Sequence, residues 1–179
     1  MWALVEDNTV TKVFTRPKAL TLGDNQYPAN IFSLWSSSEL EAIGIYEVVI
    51  DNTNLKNSEY YINTDQSFAF ASGTVTATYG TATARALADL KTNHCAVIDQ
   101  QAYGLLQPND WMVVKATETG GSVASDWTTY RAGVRTAAND MKTKINAVSD
   151  VDALAALYVY NDATPPVRPL GEFPDAPSS

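Results

Sequence analysis

The chain has 179 residues, 45% of them hydrophobic, and a formal net charge of −8. Its basic residues are few and scattered, so a polyanion would be repelled over most of the surface, and nucleic acid is not expected as a partner. The sequence has no run of about 18 or more apolar residues, so we expect no membrane insertion.

The sequence offers little for catalysis or for metal binding. Its one cysteine, Cys95, and one histidine, His94, allow no intrachain disulfide and are too few for a Cys/His zinc site. Neighbouring helical residues point about 100° apart, and no third group is evident to orient His94 for nucleophilic catalysis. The glycine- and threonine-rich stretch 72–87 lacks the lysine and the glycine spacing of a phosphate-binding loop. We therefore expect no cofactor, no metal and no enzymatic activity.

The first 80 residues are predicted to form a small β-rich domain. The alternating start "WALVEDNTVTKVF" indicates two strands joined by an Asp-Asn turn. The next stretch, 15–32, is interrupted by Pro17, Gly23 and Pro28 and is predicted to be loop with at most one helical turn. The run "IYEVVID" and the stretch 58–80 are typical of further short strands. So few strands leave edges, which we expect loops or partners to cover.

Between the predicted strands lies one short helix with clear end signals. Ser36 is followed three residues later by Glu39, which is the spacing of a capping box. Gly44 is a suitable residue just past the C-terminus. We therefore predict a helix of about two turns that ends at Gly44.

Residues 81–160 are predicted to be helical. From Thr81, apolar residues at three-and-four spacing indicate an amphipathic helix of about 24 residues, and a shorter segment, Trp111–Thr119, follows. A last long helix is predicted from near Ser125, with Ser122 or Ser125 as its N-cap. Its apolar stripe consists of Trp127, Tyr130, Val134, Ala137, Met141, Ile145 and Val148.

This nearly heptad stripe should pack antiparallel on a neighbouring helix or form a coiled coil with copies of itself. One more short helix is predicted after Ser149 as its cap. The last segment, 161–179, contains five prolines and is predicted to be an extended arm. The predicted fold class is thus α+β, with a β-rich head (1–80), a long-helix region (81–160) and a Pro-rich extended tail (161–179).

Arg131 and Arg135 form a second stripe beside the apolar one. Their i, i+4 spacing would allow them to grip an acidic partner surface. They could instead pair with Asp126 and Asp140 along their own helix, and we favour this local pairing because exposed helical ion pairs are common and weak.

One constellation resembles a known family. Asp110 and Trp111 follow the Ala-rich helix, and the pattern "W..YR..VR" opens the last long helix with Trp127, Tyr130, Arg131, Val134 and Arg135. This layout resembles the C-terminal module of tailed-phage tail-fibre assembly proteins and related small phage tail proteins. The start "MWALVEDNTVTKVF" is similar to the β-containing head of those proteins.

The resemblance implies a non-enzymatic protein of the phage tail. It would be a component of the tail tip, baseplate or fibre, or would assist fibre assembly, with other tail or fibre proteins as partners. We expect an oligomer or larger assembly, found in the virion and, during assembly, in the host cytoplasm. The last long helix continues further than is usual in the family, which favours a component that stays in the particle. Trp111, Trp127 and Tyr130 would pin the long helices together, and the two arginines beside them would tie the helices to the head or to a fibre subunit.

An alternative function is a receptor- or saccharide-binding module. Tyr60, Tyr61, Phe68 and Phe70 could line a sugar-stacking surface on the sheet. Alternating apolar residues more often face a core, so we favour a packing role for these four.

Overall fold

The computed structural model describes residues 1–177 and has a mixed α+β fold, as the sequence predicts. The chain divides into two compact units, one of which spans Met1–Thr83 while the other begins at Ala84. The first unit contains the sheet and the second the long helices. None of the helices in the described range has the length and hydropathy needed to span a membrane.

The first unit is built around a five-stranded sheet. The strands are β1 (Trp2–Glu6), β2 (Thr9–Phe14), β3 (Leu20–Leu22), β4 (Asn25–Tyr27), β5 (Ile45–Asp51), β6 (Tyr61–Ile62), β7 (Gln66–Ala71), β8 (Thr74–Tyr79) and β9 (Thr83–Ala84). The order in the five-stranded sheet is β2-β1-β5-β8-β7. Strands β5 and β8 are parallel, and the other neighbours are antiparallel. Strands β3 and β4, and strands β6 and β9, form two-stranded sheets.

The predicted first hairpin is confirmed, and its turn has a local cause. Asp7 and Asn8 both have positive φ, 48° and 63°, which is the backbone of a two-residue turn whose twist matches the strands. The prediction of loop for 15–32 is wrong in part, because β3 and β4 form a second hairpin there. Each strand has only three residues, too few for an alternating pattern to be read from the sequence.

Both faces of the five-stranded sheet carry apolar side chains. Helix α1 (Ile31–Leu34) and helix α2 (Ser37–Glu41) contribute to the cluster on one face. Its buried members are Leu4, Phe14, Leu20, Ile31, Phe32, Leu40 and Ile45. The second cluster is centred on Ala3, Val48, Val75 and Ala77. The two edge strands of the sheet, β2 and β7, contact each other. The sheet therefore curls, and its own two edges approach each other.

The capping box of α2 is confirmed. The Ser36 backbone N–H donates to Glu39 Oε2 at 2.8 Å, and the Glu39 N–H donates to Ser36 Oγ at 3.4 Å. The Ser36 hydroxyl also donates to Glu39 Oε2, at 2.7 Å. The bonds from the Ser36 backbone N–H first and from its hydroxyl second lower the pKa of the Glu39 carboxyl group. The helix is shorter than predicted, since it ends at Glu41. Gly44 lies beyond it with φ at 80°.

In the second unit, two long helices pack antiparallel. Helix α3 spans Leu87–Leu106, α4 Asp110–Thr119, α5 Ser125–Ala147 and α6 Val151–Ala156, with a 3-10 turn at Gln107–Asn109 between α3 and α4. Near one end, Lys91 Nζ of α3 donates to Asn146 O and Val148 O at 2.8 and 2.7 Å. Near the other end, Arg131 of α5 donates to Leu106 O.

The stripe predicted for α5 faces α3, so antiparallel packing on a neighbour is confirmed. The buried apolar residues of α5 are Tyr130, Val134, Ala138, Met141 and Ile145. Ala138 replaces the expected Ala137, because a straight helix keeps a spacing close to 3.6 residues per turn rather than a strict heptad. Helix α3 starts at Leu87, six residues later than predicted from Thr81.

Two predicted caps are wrong. Neither Ser122 nor Ser125 caps α5, because Ser125 is already helical and the preceding Ala124 makes no side-chain cap bond. Helix α6 is capped by Asp150 and not by Ser149. The Asp150 carboxylate accepts the Ala153 N–H at 2.8 Å, while the Ser149 hydroxyl donates to that carboxylate at 3.1 Å.

The proline-rich segment is not the extended arm that the sequence predicts. Residues 161–177, here called the strap, contain no helix or strand, but they fold back onto the helices of their own unit. Leu170 is only 1% exposed, and its N–H donates to Leu157 O at 2.9 Å. Lys144 Nζ of α5 donates to Pro169 O and Leu170 O at 2.8 and 3.1 Å. One buried leucine and one lysine thus hold a segment whose prolines exclude it from regular structure.

Replacing Gly44 with alanine is expected to lower the free energy of unfolding of the first unit by about 2 to 4 kcal/mol, measured by urea denaturation. Left-handed backbone costs a non-glycine residue about 1–2 kcal/mol, and a Cβ here would lie 2.8 Å from Val5 O. Gly73→Ala is the matched control, since Gly73 has φ at 77° and open space around it. Gly73→Ala should lower the free energy of unfolding only by the cost of the left-handed backbone. An equal loss of stability at both positions would contradict the steric clash with Val5 O.

Stability at low pH is expected to depend on Asp150. Hydrogen bonds from the Ala153 N–H first and the Ser149 hydroxyl second lower its pKa. A lowered folded-state pKa means that the contribution to stability is complete above the ordinary value of about 3.9 and is lost as the pH falls through the folded value. Asp150→Asn keeps a capping oxygen and should flatten the dependence of the thermal midpoint on pH below about pH 4. Asp140→Asn, at an exposed position on α5, should leave that dependence as it is.

Candidate protein-interaction site

Arg131 holds the corner where α3 ends and α4 begins. Its side chain is only 9% exposed. One guanidinium nitrogen donates to Leu106 O at 3.0 Å and also to Asn109 Oδ1. The other donates to Asp110 Oδ1 at 2.6 Å. A single side chain on α5 thus fixes the last turn of α3 and the first residue of α4.

The chemistry of this corner explains why a buried charge is tolerated. The last carbonyls of a helix have no intrahelical partner and carry partial negative charge, and Leu106 O is one of them. Asn109 is itself buried, and its amide donates to Leu105 O at 2.9 Å. The Asp110 carboxylate supplies the formal counter-charge and lies in the first turn of α4, where the helix dipole favours an acid. Arg131 therefore serves the interior of the unit, and neither Asp126 nor Asp140 is its partner.

The other residues of the predicted constellation divide between core and surface. Tyr130 and Val134 are buried in the contact of α5 with α3. Trp127 is half-buried and packs edge-on against Tyr130, with ring centroids 5.7 Å apart. Arg135 is exposed, and within residues 1–177 its guanidinium donates to Arg131 O at 3.3 Å. Trp111 lies on α4 and is 56% exposed, so it does not join the seam of the two long helices.

Helix α4 is the most exposed helix of the second unit. It has no buried residue, and Trp111, Val113 and Val114 all stand largely in solvent. A helix of ten residues is marginal in water by itself, so its order depends on what holds its ends. Asp110 anchors its start through Arg131. Its end is closed by Gly120 in the left-handed conformation, with φ at 66°, as in many helix C-termini.

A groove of about 270 Å³ separates α4 from the start of α5. Trp111 and Trp127 both line it, and Lys115 Nζ lies 5.8 Å from the centre of the Trp111 ring. The full lining is Trp111, Met112, Lys115, Ala116, Thr119, Gly121, Ser122, Val123, Ala124 and Trp127. The Thr119 hydroxyl is already used, since it donates to Lys115 O at 2.8 Å. The groove is thus mainly apolar, with one ammonium at its wall.

Two residues of this region were not predicted to be functional: Asn109 at the corner and Lys115 in the groove. Each has a feature in the sequence that could have indicated it. Asn109 is a polar side chain directly before a helix and next to Pro108, which is typical of a helix boundary. Lys115 is four residues after Trp111, a spacing that places two side chains on the same side of a helix. Nothing in the sequence shows that Arg131, more than 20 residues away, reaches Asn109.

The remaining candidates lie elsewhere and serve packing. His94 Nδ1 and the Tyr158 hydroxyl are 2.7 Å apart, and their rings are in contact. Tyr60 is 5% exposed, and burial, followed by the charge of Glu59, raises its pKa. Phe68 and Phe70 pack against the second cluster of the sheet, which agrees with the packing role predicted for them. Among residues 1–177, no group of histidine, cysteine and carboxylate side chains is arranged to hold a metal ion.

Comparison with family models, with curated protein sequences and with solved structures finds no match to this chain. The geometry of the α4 corner therefore carries the functional argument.

Substituting Arg131 with methionine is expected to lower the free energy of unfolding of the second unit by about 2 to 4 kcal/mol. The change keeps an apolar stem but leaves Leu106 O and the Asn109 amide without their charged donor, and hydrogen bonds to charged groups contribute about 1.5–3 kcal/mol each. Arg135→Met makes the same chemical change at an exposed position and should stay within about 0.5 kcal/mol of the unchanged protein. Chemical denaturation measures the free energy of unfolding of both variants. A similar decrease in both would contradict the role of Arg131 in joining α3 to α4.

Proposed function

We propose that the protein is a non-enzymatic bacteriophage tail protein that acts through protein-protein contacts. In this proposal it is a component of the tail tip, baseplate or tail fibre, or it assists fibre assembly. The observation that carries the proposal is helix α4, which is bonded at its start to Arg131 and presents Trp111, Val113 and Val114 to solvent.

The exposed residues of α4 are those that favour protein partners. Tryptophan is enriched among residues that dominate binding energy at interfaces, especially when surrounded by contacts that exclude water. Val114 is 55% exposed and lies three residues after Trp111, so the two share one side of the helix. A preformed helix loses little conformational freedom on binding, which leaves more of the contact energy for affinity.

The residues that resemble the phage tail family gather at this same corner. Asp110 and Arg131 form the ion pair, at 2.6 Å, and Trp111 and Trp127 line the adjacent groove. The resemblance and the exposed helix thus point to one surface. A formal charge of −8 favours protein partners over nucleic acid. The location that follows is the virion, and the host cytoplasm during assembly.

The saccharide-binding alternative finds less support. Of the four aromatic residues considered for it, Tyr60 is buried and Phe68 and Phe70 pack on the sheet core. Tyr61 is half-buried beside Lys56. These side chains do not offer a common exposed platform on which a sugar ring would stack.

The proposal is tested by co-expressing the full chain, one at a time, with the tail and fibre proteins of the phage that encodes it. We expect at least one of these proteins to co-purify with the chain, and Trp111→Ala or Val114→Asp to weaken that binding at least about tenfold. The thermal midpoint should stay unchanged, because both side chains are exposed in the free protein.

Tyr103→Ala is the control, since Tyr103 is an exposed aromatic residue on α3 outside the groove. Binding that is insensitive to α4 would reject this helix as the interface, and failure to bind any tail or fibre protein would reject the function. Mass spectrometry of purified particles then separates a virion component from an assembly protein that does not remain in the particle.

A further inference from the structure

We propose that the groove between α4 and the start of α5 binds an extended segment of a partner protein that carries a large apolar side chain and, two residues away, a carboxylate. This inference rests on the proposed function of α4 as a protein-binding surface, and it names the chemistry that the surface recognises. Three features of the groove support it: its apolar lining, the pairing of its polar groups within the chain, and a cation without a counter-charge at its wall.

The groove offers room for one large apolar side chain. Its volume is about 270 Å³, which is below the range of about 300–1,000 Å³ for sites that enclose a drug-sized ligand. Met112, Ala116 and Val123 line it together with the indoles of Trp111 and Trp127. An aromatic or long aliphatic side chain that enters this space removes both its own apolar surface and that of the lining from water.

Polar groups near the end of α4 are already bonded within the chain. The Thr119 hydroxyl donates to Lys115 O at 2.8 Å, and the Gly121 N–H donates to Ala116 O at 2.9 Å. A ligand with many hydroxyl groups loses its bonds to water on binding and needs a partner for each of them. The groove therefore suits a side chain of a protein better than a sugar.

Lys115 is the one charged residue of the lining. Within residues 1–177 it has no carboxylate partner, and its ammonium lies 5.8 Å from the centre of the Trp111 ring. A cation-π contact at an exposed site is weak, so the ammonium remains able to bind an anion. A carboxylate that arrives with an apolar side chain would meet it where water is partly excluded, and charge-assisted hydrogen bonds are stronger than neutral ones.

The net negative charge of the chain does not oppose such a partner at this place. Asp110, at the start of α4, is paired with Arg131 at 2.6 Å. Asp126 lies in the first turn of α5, where the helix dipole favours an acid, and it accepts a backbone N–H of that helix at 2.8 Å. Glu118 lies on α4 but is not part of the lining. More distant charges are screened beyond about 8 Å at physiological ionic strength, so the charge at the wall of the groove is that of Lys115.

The geometry sets the spacing of the two groups on the partner. In an extended chain, side chains on the same side recur at every second residue, about 6.6 Å apart. The Lys115 ammonium and the centre of the Trp111 ring are separated by a similar distance, 5.8 Å. An apolar side chain packed on the indole and a carboxylate two residues away therefore face the groove together. A carboxylate on the adjacent residue would point away from it.

The test is selection from a displayed library of random short peptides with the full chain as bait. The Trp111→Ala variant serves to remove peptides that bind elsewhere, and its circular dichroism and thermal midpoint should match those of the unchanged protein, because Trp111 is exposed. We expect the retained peptides to share a large apolar residue with an acidic residue two positions away. Retained peptides without an acidic residue, or no peptide that depends on Trp111, would overturn the inference.

Charge exchange tests Lys115 itself. A retained peptide, measured by fluorescence anisotropy, should bind Lys115→Glu about fivefold more weakly, and replacing its acidic residue with lysine should restore binding to that variant. Lys18→Glu makes the same change in net charge at an exposed position outside the lining and should leave the affinity as it is. Equal weakening by both variants, or no recovery with the exchanged peptide, would contradict the role of Lys115.

The remaining outcomes separate this inference from the function on which it rests. Self-association of the purified chain that Trp111→Ala abolishes, seen in analytical ultracentrifugation, would assign the groove to a second copy and overturn the inference. A tail or fibre protein that binds at α4 without loss in Lys115→Glu would remove this inference alone. Acidic peptides that bind in the groove while no tail or fibre protein binds the chain would remove only the phage-tail function.

Discussion

The buried guanidinium of Arg131 organises the helical unit. A charge in an apolar interior is costly unless every donor finds an acceptor, and here the acceptors come from three consecutive pieces of chain: the end of α3, the 3-10 turn and the start of α4. Because α4 buries none of its own residues, hydrophobic packing does not choose its direction. The hydrogen bonds of Arg131 to Leu106, Asn109 and Asp110 instead set the direction of α4. The exposed position of Trp111 follows from that direction.

This arrangement separates two tasks within a short stretch of sequence. On α5, Tyr130, Arg131 and Val134 face inward and build the contact with α3 and the corner. One turn earlier, Trp127 is half-buried and turns its free side to the groove. A functional surface placed directly beside the residues that fix it is held in a narrow range of geometries, which is the condition for a preorganised site.

Local signals in the sequence predicted local structure well, and contacts between distant residues poorly. The Asp7-Asn8 turn and the Ser36–Glu39 capping box depend on neighbours within a few positions, and both are present. The stripe of α5 has a clear period, so its packing face was readable. The partners of Arg131 lie more than 20 residues away and follow no period, so the wrong aspartates were chosen. Trp111 looked like a core residue because size and aromaticity do not report exposure.

The strap shows why a proline-rich composition alone does not predict a free arm. Prolines remove backbone donors, so the segment makes few ladder bonds, but its carbonyls still accept hydrogen bonds from side chains such as Lys144. One apolar residue, Leu170, is fully buried, and together with the Lys144 bonds it holds the segment on its own helices. Beyond the anchor, the Tyr160 hydroxyl donates to Glu172 at 2.7 Å, and Pro174 lies against Gly133 although it is exposed. The composition that excludes regular structure therefore does not exclude a defined position, because side chains of the same unit supply the contacts that backbone ladders cannot.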